Sequence, residues 1–419
     1  TGSFLVNPIR KLKNQQFVLY YNPLPTGYNG ATNYEITYDL APTGAGGGGA
    51  SGTIAALPGT LWSDYLYWNN QVSPPQWQVG STGLHIGAHA GEFGPQGPAG
   101  TAVGFYAGYT GQSEFAVAMG ASAAAFDQGP NAVAIGHNAG LTTQGKHSIA
   151  VGFLSAMTKQ GALATAVGAN AGEFTQGELA TAVGHNAGQN RQGIQSTAVG
   201  YNAGRTTQGE KSIAVGSESA MTEQGNFATA VGYRAGQNKQ GRFATSVGHQ
   251  AGLINQGASG IAIGSVAGET TQRLNSIAIG TYAGRFNQGF PTGAFGGSAI
   301  SIGTEAGYTG QRANSIAIGL NAGRNRQRAY SIAIGYHAGR DKQDVDSIAI
   351  GHSAGYTGQQ NGSIAIGAQA GEITQEAQCI AIGENAGRYQ QGGEAAIALG
   401  AEAGYTGQNG FTIAIGNQA

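Results

Sequence analysis

The sequence of 419 residues predicts an all-β protein in which about 21 sixteen-residue coils stack into a parallel β-solenoid, behind a small N-terminal β module. Three observations predict this fold: a glycine that returns every sixteen residues, an aliphatic alternation just before it, and a glutamine eight residues after it. A fixed internal period of this length is typical of solenoids, in which each repeat forms one turn of the coil.

Composition argues against several protein classes. Glycine occupies 75 positions and charged residues only 10% of the chain, which is unusual for a globular enzyme. Collagen is excluded because no three-residue glycine period persists. A net charge of -1 does not fit a nucleic-acid partner, and no apolar run of about twenty residues predicts membrane insertion. One cysteine and eight scattered histidines predict neither a disulfide nor a zinc site.

Residues 1–82 lack the repeat and divide into three predicted parts. Residues 1–42 read as a β-hairpin module, with strands at 16–21 and 34–38 joined by a loop rich in Pro, Gly and Asn. Residues 43–53 have the glycine-rich composition of a linker. Residues 54–82 form an aromatic connecting segment, in which 61–68 is expected to close the open end of the solenoid, the alternative being a contact with a partner or a glycan.

The repeat domain is predicted to span residues 83–419. The glycine that closes each Ile-Gly or Val-Gly pair, which we call the anchor glycine, first occurs at Gly87 and last at Gly416. Its spacing departs most from sixteen between Gly280 and Gly303, where seven extra residues predict an insertion at about 289–297. Strands about 4.8 Å apart make this domain a rod on the order of 95 Å long.

Each copy opens with a predicted strand and then turns tightly. Ile149 and Val151 alternate with small residues at the strand period of two, and β-branched residues favour a pleated surface. An Ala-Gly pair, as in Ala171-Gly172, marks a corner three and four residues after the anchor glycine. The second member of that pair is alanine in three copies, at Ala124, Ala156 and Ala220. We therefore expect a corner that does not strictly require a positive φ.

A glutamine column is the most uniform polar feature of the repeat. Coils about 4.8 Å apart would let identical side chains pair amide to amide, so that no buried donor or acceptor is left without a partner. We interpret the column as a structural ladder. Its members are Gln112, Gln128, Gln144, Gln160, Gln176, Gln192, Gln208, Gln224, Gln240, Gln256, Gln272, Gln288, Gln311, Gln327, Gln343, Gln359, Gln375, Gln391 and Gln408.

Both faces of the predicted strand are small or apolar, which predicts more than one chain. The residue between the two aliphatic positions is alanine in 18 of 21 copies. If the aliphatic side chains fill the coil, a lone solenoid exposes an alanine stripe far larger than soluble monomers usually show. A symmetric homo-oligomer about the long axis covers the same stripe on every copy at once, and we favour a homotrimer.

The repeat resembles a known architecture. The segment at 315–323, Ser-Ile-Ala-Ile-Gly followed by Asn-Ala-Gly, is similar to the head repeats of trimeric autotransporter adhesins and to sixteen-residue repeats in fibres of phages and large DNA viruses. The resemblance covers about 83–419. It implies a left-handed parallel β-roll, three intertwined chains, and a fibre or adhesion role at a cell or virion surface.

No catalytic, cofactor or metal residues are predicted. The histidines that follow an anchor glycine never fall in adjacent coils, so they cannot share a metal ion; these are His137, His185, His249 and His352. Five arginines share one slot, at Arg205, Arg285, Arg324, Arg340 and Arg388, and four acids share it too, at Glu92, Glu173, Glu269 and Glu372. We expect a mixed solvated edge there, and the alternative is a stripe that binds an anionic glycan.

Three isolated features remain. The insertion is the best candidate for a receptor-contact loop, through Phe290, Pro291 and Phe295. Asn361 begins the one N-glycosylation sequon. Cys379 occupies the usual serine slot of its strand, so we expect an inert buried thiol; if that slot faced a three-fold axis, three thiols would meet.

Two functions follow as hypotheses. The first is an extracellular or virion-surface fibre or stalk without catalysis, whose partner is itself and which works by length and stiffness. The alternative is a carbohydrate-binding adhesin that recognises a surface glycan or receptor on the solenoid side face or the loop.

Overall fold

A computed structural model describes residues 17–19, 38–40, 65–69, 72–80, 82–94, 96–290 and 297–419. The chain divides into two compact units, Thr1–Val79 and Gly80–Ala419. The larger unit is an all-β parallel solenoid of stacked sixteen-residue coils, as the period predicts. The division lies three residues before the predicted start of the repeat domain.

One strand from every coil builds the long sheet. Neighbouring strands pair in parallel and in register, so that Thr181 lies beside Thr197 and Val183 beside Val199. The 21 strands of this sheet are Leu84–Ile86, Thr101–Val103, Val117–Met119, Val133–Ile135, Ile149–Val151, Thr165–Val167, Thr181–Val183, Thr197–Val199, Ile213–Val215, Thr229–Val231, Thr245–Val247, Ile261–Ile263, Ile277–Ile279, Ile300–Ile302, Ile316–Ile318, Ile332–Ile334, Ile348–Ile350, Ile364–Ile366, Ile380–Ile382, Ile397–Leu399 and Ile413–Ile415.

The glutamine column forms a second, interrupted parallel sheet, which we call the glutamine sheet. Between Gln176 and Gln240, and again around Thr309 and Thr357, neighbouring coils are joined by single bridges. Its strands are Thr110–Gln112, Phe126–Gln128, Thr143–Gln144, Lys159–Gln160, Thr175–Gln176, Asn238–Gln240, Ile254–Gln256, Thr270–Gln272, Phe286–Gln288, Asn325–Gln327, Asp341–Gln343, Ile373–Gln375, Tyr389–Gln391 and Thr406–Gln408.

The corners depend on left-handed backbone. Each anchor glycine lies near φ +125°, as at Gly200 (φ 127). The residue four positions later is also left-handed, and the three alanines that replace glycine there have φ 46, 48 and 44 at Ala124, Ala156 and Ala220. The expectation of a corner without a positive φ is therefore wrong. These alanines accept a strained conformation because the stacked coils on both sides fix the path of the backbone.

The corner residue two positions after the anchor glycine is left-handed as well. Asparagine, which tolerates this conformation, often fills the slot, as at Asn186 and Asn202 (φ 56 and 54). Val266 is the β-branched exception, at φ 60 and 6% exposed. A β-branched side chain is strained there because its branches crowd the backbone.

We expect Val266→Asn to stabilise the solenoid by about 1 kcal/mol, because it relieves that left-handed strain. The reverse change, Asn202→Val, should destabilise by at least as much, since it also removes the bond that Asn186 Nδ2 donates to Asn202 Oδ1 (3.0 Å). Urea unfolding of both variants measures the two effects. A loss of stability in Val266→Asn would contradict the interpretation.

The insertion does not disturb the stack. Ile277 pairs with Ile300 in the long sheet, and Gly289 donates its amide to the Gln311 carbonyl at 2.8 Å. Residues 291–296 of the insertion lie outside the described residues. The coil that follows therefore continues in register with the coil before it.

The described residues of the smaller unit form two antiparallel strand pairs. Phe17–Leu19 pairs with Tyr38–Leu40, whose first residue is the last of the predicted strand 34–38; residues 34–37 lie outside the described residues. Leu66–Asn69 pairs with Gln76–Val79 inside the predicted connecting segment. The predicted linker at 43–53 lies outside the described residues.

Candidate functional site

The interior of the coil contains small side chains and glutamine. The wholly buried side chains of largest volume are all glutamines of the column, and the buried hydrophobic residues are alanines apart from Val266 and Cys379 among the described residues. Ala198 in the long sheet is wholly buried, as is Ala203 at the corner. Over its described residues the solenoid therefore has a core of glutamine, serine and alanine, in which Val266 is the one buried aliphatic side chain larger than alanine.

Each glutamine of the column links the two sheets. Gln359 Nε2 donates to the carbonyls of Ile348 (2.7 Å) and Ser363 (3.3 Å), and to Gln375 Oε1 (3.2 Å) in the next coil. These amide-to-amide bonds continue without a break from Gln224 to Gln408. Earlier in the column the ladder is interrupted, and the buried Oε1 atoms of Gln160, Gln208 and Gln224 have no hydrogen-bond partner among the described residues, so the expectation that every buried acceptor is paired is wrong there. The side chain at this position must donate to buried backbone carbonyls and to the next glutamine, and must also accept a hydrogen bond. Few residues other than glutamine can do this, which accounts for the uniform column.

Serine replaces alanine in two strands without breaking this pattern. Ser246 Oγ donates to Gln256 Oε1 at 2.7 Å, and Ser301 Oγ donates to Gln311 Oε1 at 2.5 Å. Both hydroxyls are wholly buried. The ladder thus supplies acceptors for the polar side chains that the core admits.

The long sheet faces the other way round from the sequence interpretation. The alanine between the two aliphatic residues points into the coil, and the aliphatic residues point outward. Ile135 and Ile263 are each 38% exposed, and Ile213 is 41% exposed. The exposed stripe is therefore made of isoleucine, valine and threonine, and the predicted alanine stripe is wrong.

This outward surface, which we call the aliphatic face, consists of the first and third residues of every long-sheet strand. Its two columns contain only Ile, Val, Thr, Leu and Met over all 21 strands, so it carries no charge. Strand spacing and width give it an area on the order of 1,000 Å². That exceeds the few hundred Å² of apolar patch that soluble monomers usually expose. It is the main candidate for a functional surface.

The arginine slot forms a charge-paired edge. Arg285 forms an ion pair with Glu269 of the preceding coil, and Arg388 Nε lies 2.6 Å from Glu372 Oε2. Each hydrogen bond raises the pKa of its arginine. Arg324 pairs with Glu305 at 2.7 Å. Four of the five arginines of the slot have a carboxylate within 4.0 Å, and Arg205 Nε donates to Gln189 Oε1 at 3.2 Å. The geometry therefore favours the mixed edge over a stripe for anionic glycans.

The histidines that follow anchor glycines stack on aromatic rings of adjacent coils. His137 lies 5.5 Å from Phe153 and His185 lies 5.6 Å from Tyr201, both nearly parallel. Tyr336 and His352 stack at 5.1 Å. In the residues that the structure describes, no three His, Cys, Asp or Glu side chains come together in a way that could hold a metal ion.

Cys379 lies inside the coil. It is wholly buried, its Sγ donates to the Gly393 carbonyl at 3.2 Å, and burial raises the pKa of its thiol. The serine slot therefore faces the coil interior, and thiols of three chains cannot meet there. The expectation of an inert buried thiol fits this position.

The remaining predicted residues are dispersed. Phe290 is 36% exposed and lies beside Arg273, whose guanidinium is 4.9 Å from the ring centre, whereas Pro291 and Phe295 lie outside the described residues. Asn361 is exposed in a turn, next to Gly362 at φ 65. In the smaller unit, Trp68 and Trp77 pair edge to face at 5.5 Å. The proposed end-closing role of residues 61–68 stays a prediction.

Comparison with known proteins does not assign this chain to a family. No protein-family model matches this chain, and no curated protein matches it. The part of the chain that the structure describes has no helix with the length and hydropathy needed to cross a bilayer.

Sequence reasoning missed the aliphatic face as a functional surface because alternation gives two faces without saying which is inside. The glutamine column carried the missing signal. A side chain as long as glutamine at every coil leaves room opposite it only for small residues, alanine or serine.

Proposed function

We propose that this chain is a structural fibre or stalk of a cell or virion surface, without catalysis, which works through the length and stiffness of its solenoid. Three copies pack their aliphatic faces around a common long axis. The smaller unit and the surface loops remain free for contacts with targets. A left-handed winding is part of this proposal through the resemblance of the repeat.

The aliphatic face carries the proposal. Folding of one chain buries alanine and glutamine but leaves isoleucine and valine in water, so the strongest apolar driving force has not been used. The face is uninterrupted and runs in register over the whole sheet. A partner that covers it must have equal length and the same repeat, and a second and third copy of the chain meet both conditions.

Charge placement supports the same arrangement. The aliphatic face has no charged side chain, whereas Arg285, Glu269 and their equivalents lie beyond the first corner. Interfaces of permanent oligomers are depleted of charge at their centre and polar at their rim. The choice of three chains rests on the resemblance of the repeat. A dimer that packs the two aliphatic faces together would cover the same surface, and the measured mass distinguishes a dimer from a trimer.

The test is a paired substitution on the aliphatic face. We expect Val199→Lys with Val215→Lys to reduce the mass of the purified chain from three copies to one, because six like charges would meet in an apolar interface. Light scattering measures the mass, and far-ultraviolet circular dichroism in the same samples checks β content.

A matched control places the same two charges elsewhere. Thr175 and Thr207 are exposed on the outer face of the glutamine sheet, in a column where Lys159 and Lys239 already occur. Thr175→Lys with Thr207→Lys should leave the mass at three copies. A monomeric unsubstituted chain, or equal dissociation of both double variants, would refute assembly through the aliphatic face.

A further inference from the structure

A cluster of cations lies on the outer face of the glutamine sheet. The residues before and after each column glutamine point outward, because the glutamine itself points in. Between the anchor glycines Gly303 and Gly351, four of these outward positions hold cations, all of them exposed: Arg312, Arg326, Arg328 and Lys342. We call this set the basic groove. It lies on the side of the coil away from the aliphatic face, so trimer packing would leave it accessible.

The local sequence changes where the groove begins. The residue after the column glutamine is glycine in nine consecutive coils, from Gly129 to Gly257. A Cβ there would meet backbone of the next coil, for example 2.4 Å from Glu178 N at Gly161. In three of the next four coils the slot holds arginine, at Arg273, Arg312 and Arg328. The backbone at this corner must therefore differ in these coils, because the slot now holds an arginine side chain.

Glycines at the preceding position open the floor of the groove. A Cβ at Gly310 would have no atom closer than 3.7 Å, and one at Gly358 none closer than 3.5 Å. The missing side chains leave two adjacent depressions of about 440 Å³ and about 330 Å³, and Arg326 and Arg328 line both. Volumes of 300–1,000 Å³ are usual for ligand sites. Other lining residues are Asn287, Phe290, Asp344, Gln360 and Thr374.

The groove keeps a positive charge. Arg328 Nη1 lies 3.3 Å from Asp344 Oδ1. Within the described residues, no carboxylate oxygen comes within 4.0 Å of the charged groups of Arg312, Arg326 or Lys342. On the charge-paired edge, by contrast, arginines such as Arg285 and Arg388 have glutamate partners. Arginines left without carboxylate partners on a concave surface suit a ligand that brings its own anionic oxygens.

We propose that the basic groove binds a linear acidic polysaccharide through its sulfate or carboxylate groups. Arg312 and Arg328 are about 4.8 Å apart along the rod, as are Arg326 and Lys342, and the two columns are about 7 Å apart. This grid matches anionic groups repeated along an extended sugar chain. The exposed ring of Phe290 offers an apolar surface for a sugar C–H face. The inference goes beyond the structural role proposed above and does not depend on it.

Nucleic acid fits the groove less well. Nucleic-acid binding proteins neutralise many phosphates and are usually basic overall, whereas this chain has a net charge of -1. Proteins that bind single strands also use several aromatic side chains on which successive bases stack. Among the described lining residues of the groove, Phe290 is the only aromatic one. The observations therefore favour a polysaccharide.

The test compares two double variants of the whole chain. Arg326→Asn with Lys342→Asn removes two cations of the groove, at left-handed positions (φ 56 and 58) where Asn255 and Asn287 show that asparagine fits (φ 55 and 56). Arg191→Asn with Lys239→Asn removes two cations from the same column where glycine follows the glutamine (φ 50 and 57). Titration calorimetry measures binding of a heparin oligosaccharide, hyaluronan of equal length and neutral dextran.

We expect the sulfated or carboxylated chain to bind, dextran not to bind, and the groove variant to bind about tenfold more weakly, with the control pair unchanged. Binding should weaken as salt is raised. Absence of binding to both acidic polysaccharides, equal weakening in both double variants, or tighter binding of a single-stranded oligonucleotide would overturn the proposal. Light scattering on the same samples reports assembly separately, so failure of the fibre proposal would be visible by itself.

Discussion

Replacing Gly335 by alanine is expected to unfold the coils on both sides of it. Gly335 lies at φ 128, and an added Cβ would be 2.4 Å from the Gly351 carbonyl oxygen. The positive φ and the overlap with the carbonyl both involve backbone that is fixed by the neighbouring coils, so no side-chain movement can relieve them. We expect a loss of roughly 3–5 kcal/mol, from the strained φ and the overlap together.

Gly339→Ala in the same coil is the matched control. Gly339 lies at φ 53, where the added Cβ would be 2.8 Å from Gln343 Oε1, an atom of a side chain. Ala124, Ala156 and Ala220 show that alanine is accepted at this corner. The expected loss is therefore only about 1–2 kcal/mol.

Hydrogen exchange is the suitable measurement for this pair, because long repeat arrays do not unfold in one step. The Gly351 amide donates to the Ile334 carbonyl at 2.8 Å and reports on the coil contact. Its protection should fall sharply in Gly335→Ala and little in Gly339→Ala. Equal protection in the two variants would show that the anchor glycine is not required by sterics.

Replacing Gln359 by leucine is the second large effect that we expect. The substitution keeps the approximate size of the side chain but removes the donor to Ile348 O, Ser363 O and Gln375 Oε1, and the acceptor for Gln343 Nε2 (3.1 Å). Gln375 Oε1 would then lose its donor inside the core, whereas Gln343 Nε2 would keep its bonds to the Ile332 and Ser347 carbonyls. An unsatisfied buried group costs about 1–3 kcal/mol and each lost hydrogen bond about 0.5–1.5 kcal/mol, so we expect a loss of about 3–6 kcal/mol.

The neighbouring residue supplies the control. Gln360 points outward and is exposed, whereas Gln359 is only 1% exposed. Gln360→Leu should change stability by less than about 0.5 kcal/mol, as is usual for surface substitutions. Urea unfolding monitored by circular dichroism compares the two variants. Similar midpoints would mean that the ladder contributes no stability.

Much of the fold could be predicted from the sequence because every coil of a solenoid repeats the same local structure. The anchor glycine and the alternation at Ile149 and Val151 define a strand and a corner, and the constant spacing makes each coil stack on the last in register. The glutamine column could be located for the same reason. Buried amides need identical neighbours at a fixed distance, so their positions persist while surface positions vary.

Assembly of charged groups was harder to read. The arginine slot suggested either an edge or a binding stripe, and only the placement of Glu269 beside Arg285 favours the edge. The basic groove had a sequence signal, the change from glycine to Arg273, Arg312 and Arg328 after nine coils. That signal acquires meaning only when Gly310 and Gly358 are seen to open the floor between them.

The period, the parallel stacking of coils, the strand positions and the glutamine column are all predictable from the sequence. Which face of the strand lies inside the coil depends on tertiary packing. Alternation is symmetrical, and the usual preference for burying the larger aliphatic side chain pointed the wrong way. The glutamine amide reaches the opposite strand, as Gln359 does to Ile348 at 2.7 Å, and so holds the two sheets close together. At that separation only side chains as small as alanine or serine fit the interior, and isoleucine and valine must lie outside.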